Sequence, residues 1–338
     1  MENLDIRQKI LDAGLELYER GLVTRDFGCI SARISNDEFL ITPAQTPYAE
    51  MRPEDLVTVS INKLSYKSDK KPSSEIGIHA AVYKLHPGVS FSVHTHQNYA
   101  TAFSVLGRDL TNLPEDKAAL LGSTVPVSAY ALSGTKSLQA NVTNAMQRFL
   151  GSHAILMKSH GTICFGPTLD DAFRNAFALE KLCEDRFEEE TEHEVFHLYT
   201  PEEAEDRGLI SYHKGPNGLN IFAKTEILKL FAEYGKDIEI FTDDAAQLFG
   251  TKIRCLPNDA DQKHILSALK IVPAVLIKDK GAVFYSSSRE ECEAAFMILQ
   301  KNCLSSFLSE KKKQGEPLSV LLQVYEHSKY MRSHPRQK

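Results

Sequence analysis

Residues 154–183 align without a gap on residues 274–303, and seven of the thirty positions are identical, where average composition gives about two. In each copy an apolar run of four leads into a turn that ends on glycine, Gly161 in the first and Gly281 in the second. A second apolar run and a segment with helical spacing follow. A strand–turn–strand–helix unit used twice limits what the chain can become. It predicts an α/β protein built as a central mixed sheet flanked by helices, a three-layer domain, with a smaller degenerate copy of the same fold. The copies differ at one chemically important place. Ser159-His160-Gly161 in the first is Asp279-Lys280-Gly281 in the second, so the turn glycine is kept and the histidine is not.

The rest of the chain reads in the same alternating style. Residues 5–19 place Ile6, Ile10, Leu11, Leu17 and Tyr18 near one helical face, and Gly21 stops the run. Short β-like pieces follow at 29–35, 38–42 and 56–61. Pro72-Ser73-Ser74-Glu75 precedes a periodic run through Ile78, Val82 and Leu85, which predicts a helix with a serine near its N-cap. Residues 89–93 form a buried-type strand that enters His94-Thr95-His96. Helices are expected at 99–106, at 136–150 and from 168 to near 187. In the second half, 238–241 is strand-like, and no H-x-H follows it.

Between 184 and 206 there are eleven acidic residues and one basic one, the composition of a solvated helix end or linker. The expected organisation is therefore a first domain over 1–195, the copy over 205–325, and a basic tail over 326–338 that frays.

Charge removes some functions from consideration. Lysine and arginine number 39 against 45 acidic residues, a net charge of −6, whereas a nucleic-acid binder carries a basic excess. No apolar run reaches membrane-spanning length, and the first residues lack the apolar core of a signal peptide. Neither nucleic acid nor membrane is expected as a partner. The six cysteines form no C-x-x-C pair, which predicts reduced, buried thiols in a cytoplasmic protein.

Chemistry concentrates in the first half. Alternate residues of a strand point the same way, so the imidazoles of His94 and His96 can converge on one ion. An H-x-H pair also arises as ordinary hydrogen-bonded structure. His160 sits in a tight turn where Gly161 permits close backbone approach. Three imidazoles on a divalent ion leave a coordination position open, the pattern of a catalytic metal site. Glu75, at a helix start, either answers the helix dipole or does chemistry. Ser73 and Ser74 either cap that helix or, with its free N–H groups, hold an anion such as phosphate.

Taken in order, the motifs resemble the class II aldolase/adducin family over residues 1–190. The matching pieces are Gly28-Cys29-Ile30-Ser31-Ala32-Arg33, Ile41 through Tyr48, Lys71-Pro72-Ser73-Ser74-Glu75, Val93-His94-Thr95-His96, Val125-Pro126 through Gly134-Thr135, and Ser159-His160-Gly161. The resemblance implies that His94, His96 and His160 bind Zn2+ or another divalent metal. It makes Glu75 the catalytic acid/base, and Gly28, Cys29, Ala44, Gln45, Ser73 and Ser74 substrate- or phosphate-binding positions. A homo-oligomer acting on a small sugar or sugar phosphate is the implied assembly.

The implied activity is that of a zinc-dependent aldehyde-lyase, an aldolase that cleaves a sugar phosphate or related hydroxyketone through a metal-stabilised enediolate. A dehydratase or epimerase on the same metal, or a non-catalytic adducin-like interaction protein, are the alternatives. Related sugar-phosphate epimerases typically carry aspartate after the paired serines, so Glu75 leans toward aldol cleavage. The chain departs from the family where phosphate would sit. Gly28-Cys29 replaces a Gly-Asn pair, Thr42-Pro43-Ala44-Gln45 replaces a T-P-T-G turn, and no tyrosine lies within 114–118.

Overall fold

The computed structural model describes residues 2–24, 27–192, 195–215 and 218–334. The chain divides into two compact units, residues 1–186 and 187–338. The acidic run expected at the boundary begins inside a helix that continues to Thr191.

The first unit holds α1 (Glu2–Glu19), β1 (Cys29–Arg33), β2 (Glu38–Ile41), β3 (Val57–Ser60), α2 (Ile76–Leu85), β4 (Phe91–Thr95) and α3 (Asn98–Val105). It continues with α4 (Glu115–Leu121), β5 (Val127–Ser128), α5 (Lys136–Arg148), β6 (Ala154–Met157), β7 (Gly161–Gly166) and α6 (Leu169–Thr191). Its seven strands form one sheet in the order β3-β2-β1-β4-β7-β6-β5. Every pairing is antiparallel except β5 with β6, so the sheet is mixed, as expected.

The alternation of the strands explains the layers. Phe39 and Ile41 of β2, Val57 and Val59 of β3, and Ile163 and Phe165 of β7 all point to one face. There they pack with Ile78 and Val82 of α2 and Leu138, Val142 and Met146 of α5. On α6, Asn175 donates its amide to the Phe165 carbonyl at 3.0 Å, which fastens this helix to β7.

The second unit holds α7 (Pro201–Asp206), β8 (Ile210–Gly215), β9 (Gly218–Ala223), α8 (Glu226–Tyr234), β10 (Ile238–Glu239), α9 (Asp243–Phe249), β11 (Lys252–Ile253) and β12 (Cys255–Leu256). After these come α10 (Gln262–Leu269), β13 (Ala274–Ile277), β14 (Gly281–Ser286), α11 (Arg289–Lys312) and α12 (Val320–Ser333). Its five-stranded sheet runs β12-β13-β14-β9-β8, the order and directions of β5-β6-β7-β4-β1.

The registers agree as well. Met157 faces Gly161 as Ile277 faces Gly281, and Thr95 faces Thr162 as Ala223 faces Ala282. Outside the strands, the Asp109 carboxylate accepts the Val127 N–H at 2.8 Å, and Asp237 accepts the Cys255 N–H at 3.0 Å. The second unit is a smaller copy of the first fold, and among the described residues its sheet has no strands equivalent to β2 and β3.

Two expectations need correction. The strand equivalent to β4 is β9, not the stretch 238–241, of which only Ile238–Glu239 is strand, paired with β11. Glu326 onward does not fray, because α12 is helical through Ser333 and buries Glu326. The last four tail residues, 335–338, lie outside the described residues. Among the described residues no helix is long and apolar enough to cross a membrane. The six cysteines are free thiols, all buried except the half-buried Cys255.

Candidate metal centre

Strand β4 delivers His94 and, just past its end, His96. It is locked between β1 and β7, with His94 level with Cys29 on one side and Ile163 on the other. His160 comes from the β6–β7 turn, where Ser159 adopts a left-handed φ of 59° and its N–H is held by the Ser104 hydroxyl at 3.1 Å. A Cβ on Gly161 would stand 2.5 Å from the Thr95 carbonyl oxygen. Only glycine lets this hairpin close against the end of β4, and that approach carries His160 to the other two histidines.

One ring nitrogen from each imidazole lies within 4.8 Å of the others. The His94 and His160 rings stack at 5.1 Å, and the Nε2 atoms of His94 and His96 are 3.0 Å apart. His94 Nδ1 is 2.8 Å from the Thr162 carbonyl. A carbonyl only accepts, so Nδ1 carries a proton, and a ring that gives up its Nε2 proton to bind a metal would point the Nε2 lone pair into the cluster. That is the orientation a metal-binding imidazole needs. Buried, nitrogen-rich and convergent, the set fits a divalent ion such as zinc with a coordination position left open.

Glu75 caps the start of α2 and meets this cluster directly. Its Oε1 lies 2.9 Å from His160 Nε2 and its Oε2 3.3 Å from His94 Nε2. Burial pushes the carboxyl pKa up, but the charges of His94, His160 and His96 outweigh it and hold Glu75 well below the usual carboxylate range.

The other predicted positions surround this core. Ser73 Oγ accepts the Glu75 N–H at 3.3 Å, and the Ser73 N–H binds the Thr42 carbonyl at 3.0 Å. The Ala44 N–H binds the Lys71 carbonyl at 2.9 Å, so the 42–46 and 71–74 loops form one rim. Ser74 and Gln45 are exposed on that rim rather than in the histidine cluster. Gln45 has φ 56°, so the turn keeps the left-handed conformation that a glycine would take freely. Gly28 lies against β4, where a Cβ would come within 2.7 Å of the His94 carbonyl oxygen.

Cys29 faces inward. Its Sγ is 3.1 Å from His79 Nε2, while His79 Nδ1 is 2.7 Å from Ser31 Oγ, itself 2.6 Å from the Tyr83 hydroxyl. Burial, reinforced by the Glu75 charge, pushes the Cys29 thiol pKa up. Burial and the His94 charge lower that of His79 to about 3. The pair is a neutral thiol beside a neutral imidazole. His79, Ser31 and Tyr83 are absent from the sequence prediction. The spacing of Glu75 and His79, four residues apart on one helical face, is the signal that could have found them.

The structure thus joins His94, His96, His160 and Glu75 in one buried group, with Cys29 and Ser73 beside it. In the second unit, register puts Phe222 and Lys224 where His94 and His96 stand, and Lys280 where His160 stands. A protonated lysine is a poor metal ligand.

A sequence model of the Class II Aldolase and Adducin N-terminal domain matches residues 8–186. The 5-methylthioribulose-1-phosphate/5-deoxyribulose-1-phosphate aldolase of Rhodospirillum rubrum is 32% identical over 179 residues, which is 53% of this chain and 79% of that protein. The L-fuculose phosphate aldolase of Escherichia coli is 32% identical over 184 residues, 54% of this chain and 83% of that protein. A solved L-fuculose 1-phosphate aldolase superposes with a TM-score of 0.52 at 27% identity, covering 60% of this chain and 96% of its own. Through its first unit, this chain belongs to the class II aldolase and adducin family.

Proposed function

We propose that the first unit is a metal-dependent aldolase that reversibly cleaves a sugar phosphate or related hydroxyketone. The observation that carries this reading is the convergence of three buried imidazoles and one buried carboxylate on a single point. His94, His96 and His160 would hold the ion, zinc by the chemistry of the donor set. When bound, that ion would supply Lewis-acid stabilisation of the charge developing on substrate oxygens as the carbon–carbon bond breaks.

The protein's own groups do the rest. Glu75, ionised at neutral pH, would take up the proton that the substrate hydroxyl gives up as the carbon–carbon bond breaks and pass it to the new nucleophilic carbon; in condensation it would take that proton back from carbon. Its N-cap position and the Ser73 hydroxyl that accepts its N–H hold the Glu75 backbone beside the rim, and its carboxylate contacts His160 and His94. Ser73 and Ser74, with the backbone of Gly28, Cys29, Ala44 and Gln45, would bind the far end of the substrate. A glutamate, rather than an aspartate, after the paired serines supports aldol cleavage over epimerisation. The family resemblance and the free thiols support a homo-oligomer in the cytoplasm.

The test is a panel of phosphorylated and unphosphorylated ketoses with zinc-loaded protein, followed by coupled detection of aldehyde. Release of aldehyde from one class identifies the substrate. An epimer or a dehydrated product without aldehyde would overturn the assignment.

A further inference from the structure

At the β5 edge of the first unit's sheet, the loop after α3 and one face of α5 line an open cleft of ≈ 680 Å³. That volume is in the range of small-molecule sites. The cleft shares no residue with the histidine cluster or its rim. Its lining carries three basic side chains, Arg108, Arg148 and Lys158, against the single carboxylate of Asp109.

The carboxylate is committed to the framework. Asp109 accepts the Val127 N–H at 2.8 Å and both terminal nitrogens of Arg148 at 3.1 Å. Arg148 also donates to the Val127 carbonyl at 2.9 Å. Asp237 makes the same backbone contact in the second unit, which marks the aspartate as part of the fold. The opposite wall is fixed by Asn141, whose amide donates to the carbonyls of Ala129 and Tyr130 at 3.2 Å. The lining as a whole keeps an excess of two positive charges in a preformed hollow, with the exposed Asn144 at its rim.

We propose that this cleft binds a phosphate dianion, free or as a small phosphate monoester, as a second site separate from the metal centre. A guanidinium and an ammonium lining one hollow match a doubly charged oxyanion, and the exposed Asn144 amide at the rim suits the polar remainder of an ester. The proposal does not rest on the aldolase reading.

Equilibrium dialysis of the full chain tests it, with inorganic phosphate and glycerol 3-phosphate as the two probes. A Ser73→Ala, Ser74→Ala protein lacks the hydroxyls of the rim and should still bind one equivalent. Arg108→Gln with Lys158→Gln should lose it. Asn144→Asp, an exposed substitution that leaves the fold intact, should weaken binding about tenfold by placing a like charge at the rim. Tighter binding of the ester than of phosphate identifies a phosphorylated metabolite as the ligand, and equal binding identifies free phosphate. The proposal is overturned if wild type binds neither probe at millimolar concentration, if the serine variant loses all binding, or if Asn144→Asp binds as wild type does.

Discussion

The Glu75 carboxylate stands 2.9 Å from His160 Nε2 although 85 residues separate them, and the hairpin glycine next to His160 is what makes that meeting possible. The same carboxylate reaches His94 through its other oxygen. Glu75→Gln should therefore keep metal but lower turnover by about two to four orders of magnitude, the usual worth of a positioned acid/base. Turnover at the wild-type rate would reduce Glu75 to a helix-start carboxylate.

The two hairpin glycines give a paired test of the repeated fold. A Cβ on Gly161 would meet the Thr95 carbonyl oxygen at 2.5 Å, and one on Gly281 would meet that of Ala223 at 2.3 Å. Each Gly→Ala change should destabilise its unit by about 1–3 kcal/mol through forced overpacking, read by denaturant unfolding. A neutral Gly281→Ala beside a costly Gly161→Ala would show that the two hairpins are not equivalent.

Much of the histidine cluster was legible because a candidate metal site asks for particular residue types. Two histidines on one strand face and a third before a turn glycine are visible in a single chain. The copy's missing ligands were harder to place, because packing at Phe222 and Lys224 asks for no particular residue. The spacing also slips. Thr95 and Ala223 are equivalent at 128 residues apart, but Gly161 and Gly281 at 120, in large part because α10 has 8 residues where α5 has 13, with shorter flanking connections making up the rest. An ungapped alignment therefore stops short of β9. In α12 the pattern is inverted: Gln323 and Glu326 are buried while Val320 and Leu321 are exposed. Hydrophobic periodicity could not report that helix's packing.

Stability should carry a pH signature from Glu180. Its carboxyl accepts the N–H groups of Tyr99 and Ala100 at 2.8 and 2.9 Å, while burial raises its pKa from 4.5 to about 7. The folded chain then holds this proton more tightly than the unfolded chain does. The resulting stabilisation is full below pH 4.5 and is lost as pH rises through 7. A shift of this size corresponds to about 3 kcal/mol. Unfolding curves from pH 5 to pH 8 should show wild type losing stability relative to Glu180→Gln. Parallel curves would mean that Glu180 is ionised throughout.

Gln45 and Cys29 bear on substrate affinity. Gln45 holds a left-handed backbone at φ 56°, which costs a non-glycine residue about 1–2 kcal/mol. Gln45→Gly should raise stability by a similar amount. Combined with Cys29→Asn, which restores an amide donor, it should lower the KM for a phosphorylated ketose. An unchanged KM would place the anion on Ser73 and Ser74 alone.

The most direct test is elemental analysis of metal in the purified chain and in His94→Ala and His160→Ala proteins whose far-UV circular dichroism matches wild type. The account predicts about one divalent ion, zinc, per wild-type chain and little in either variant. Full occupancy in both variants would contradict it.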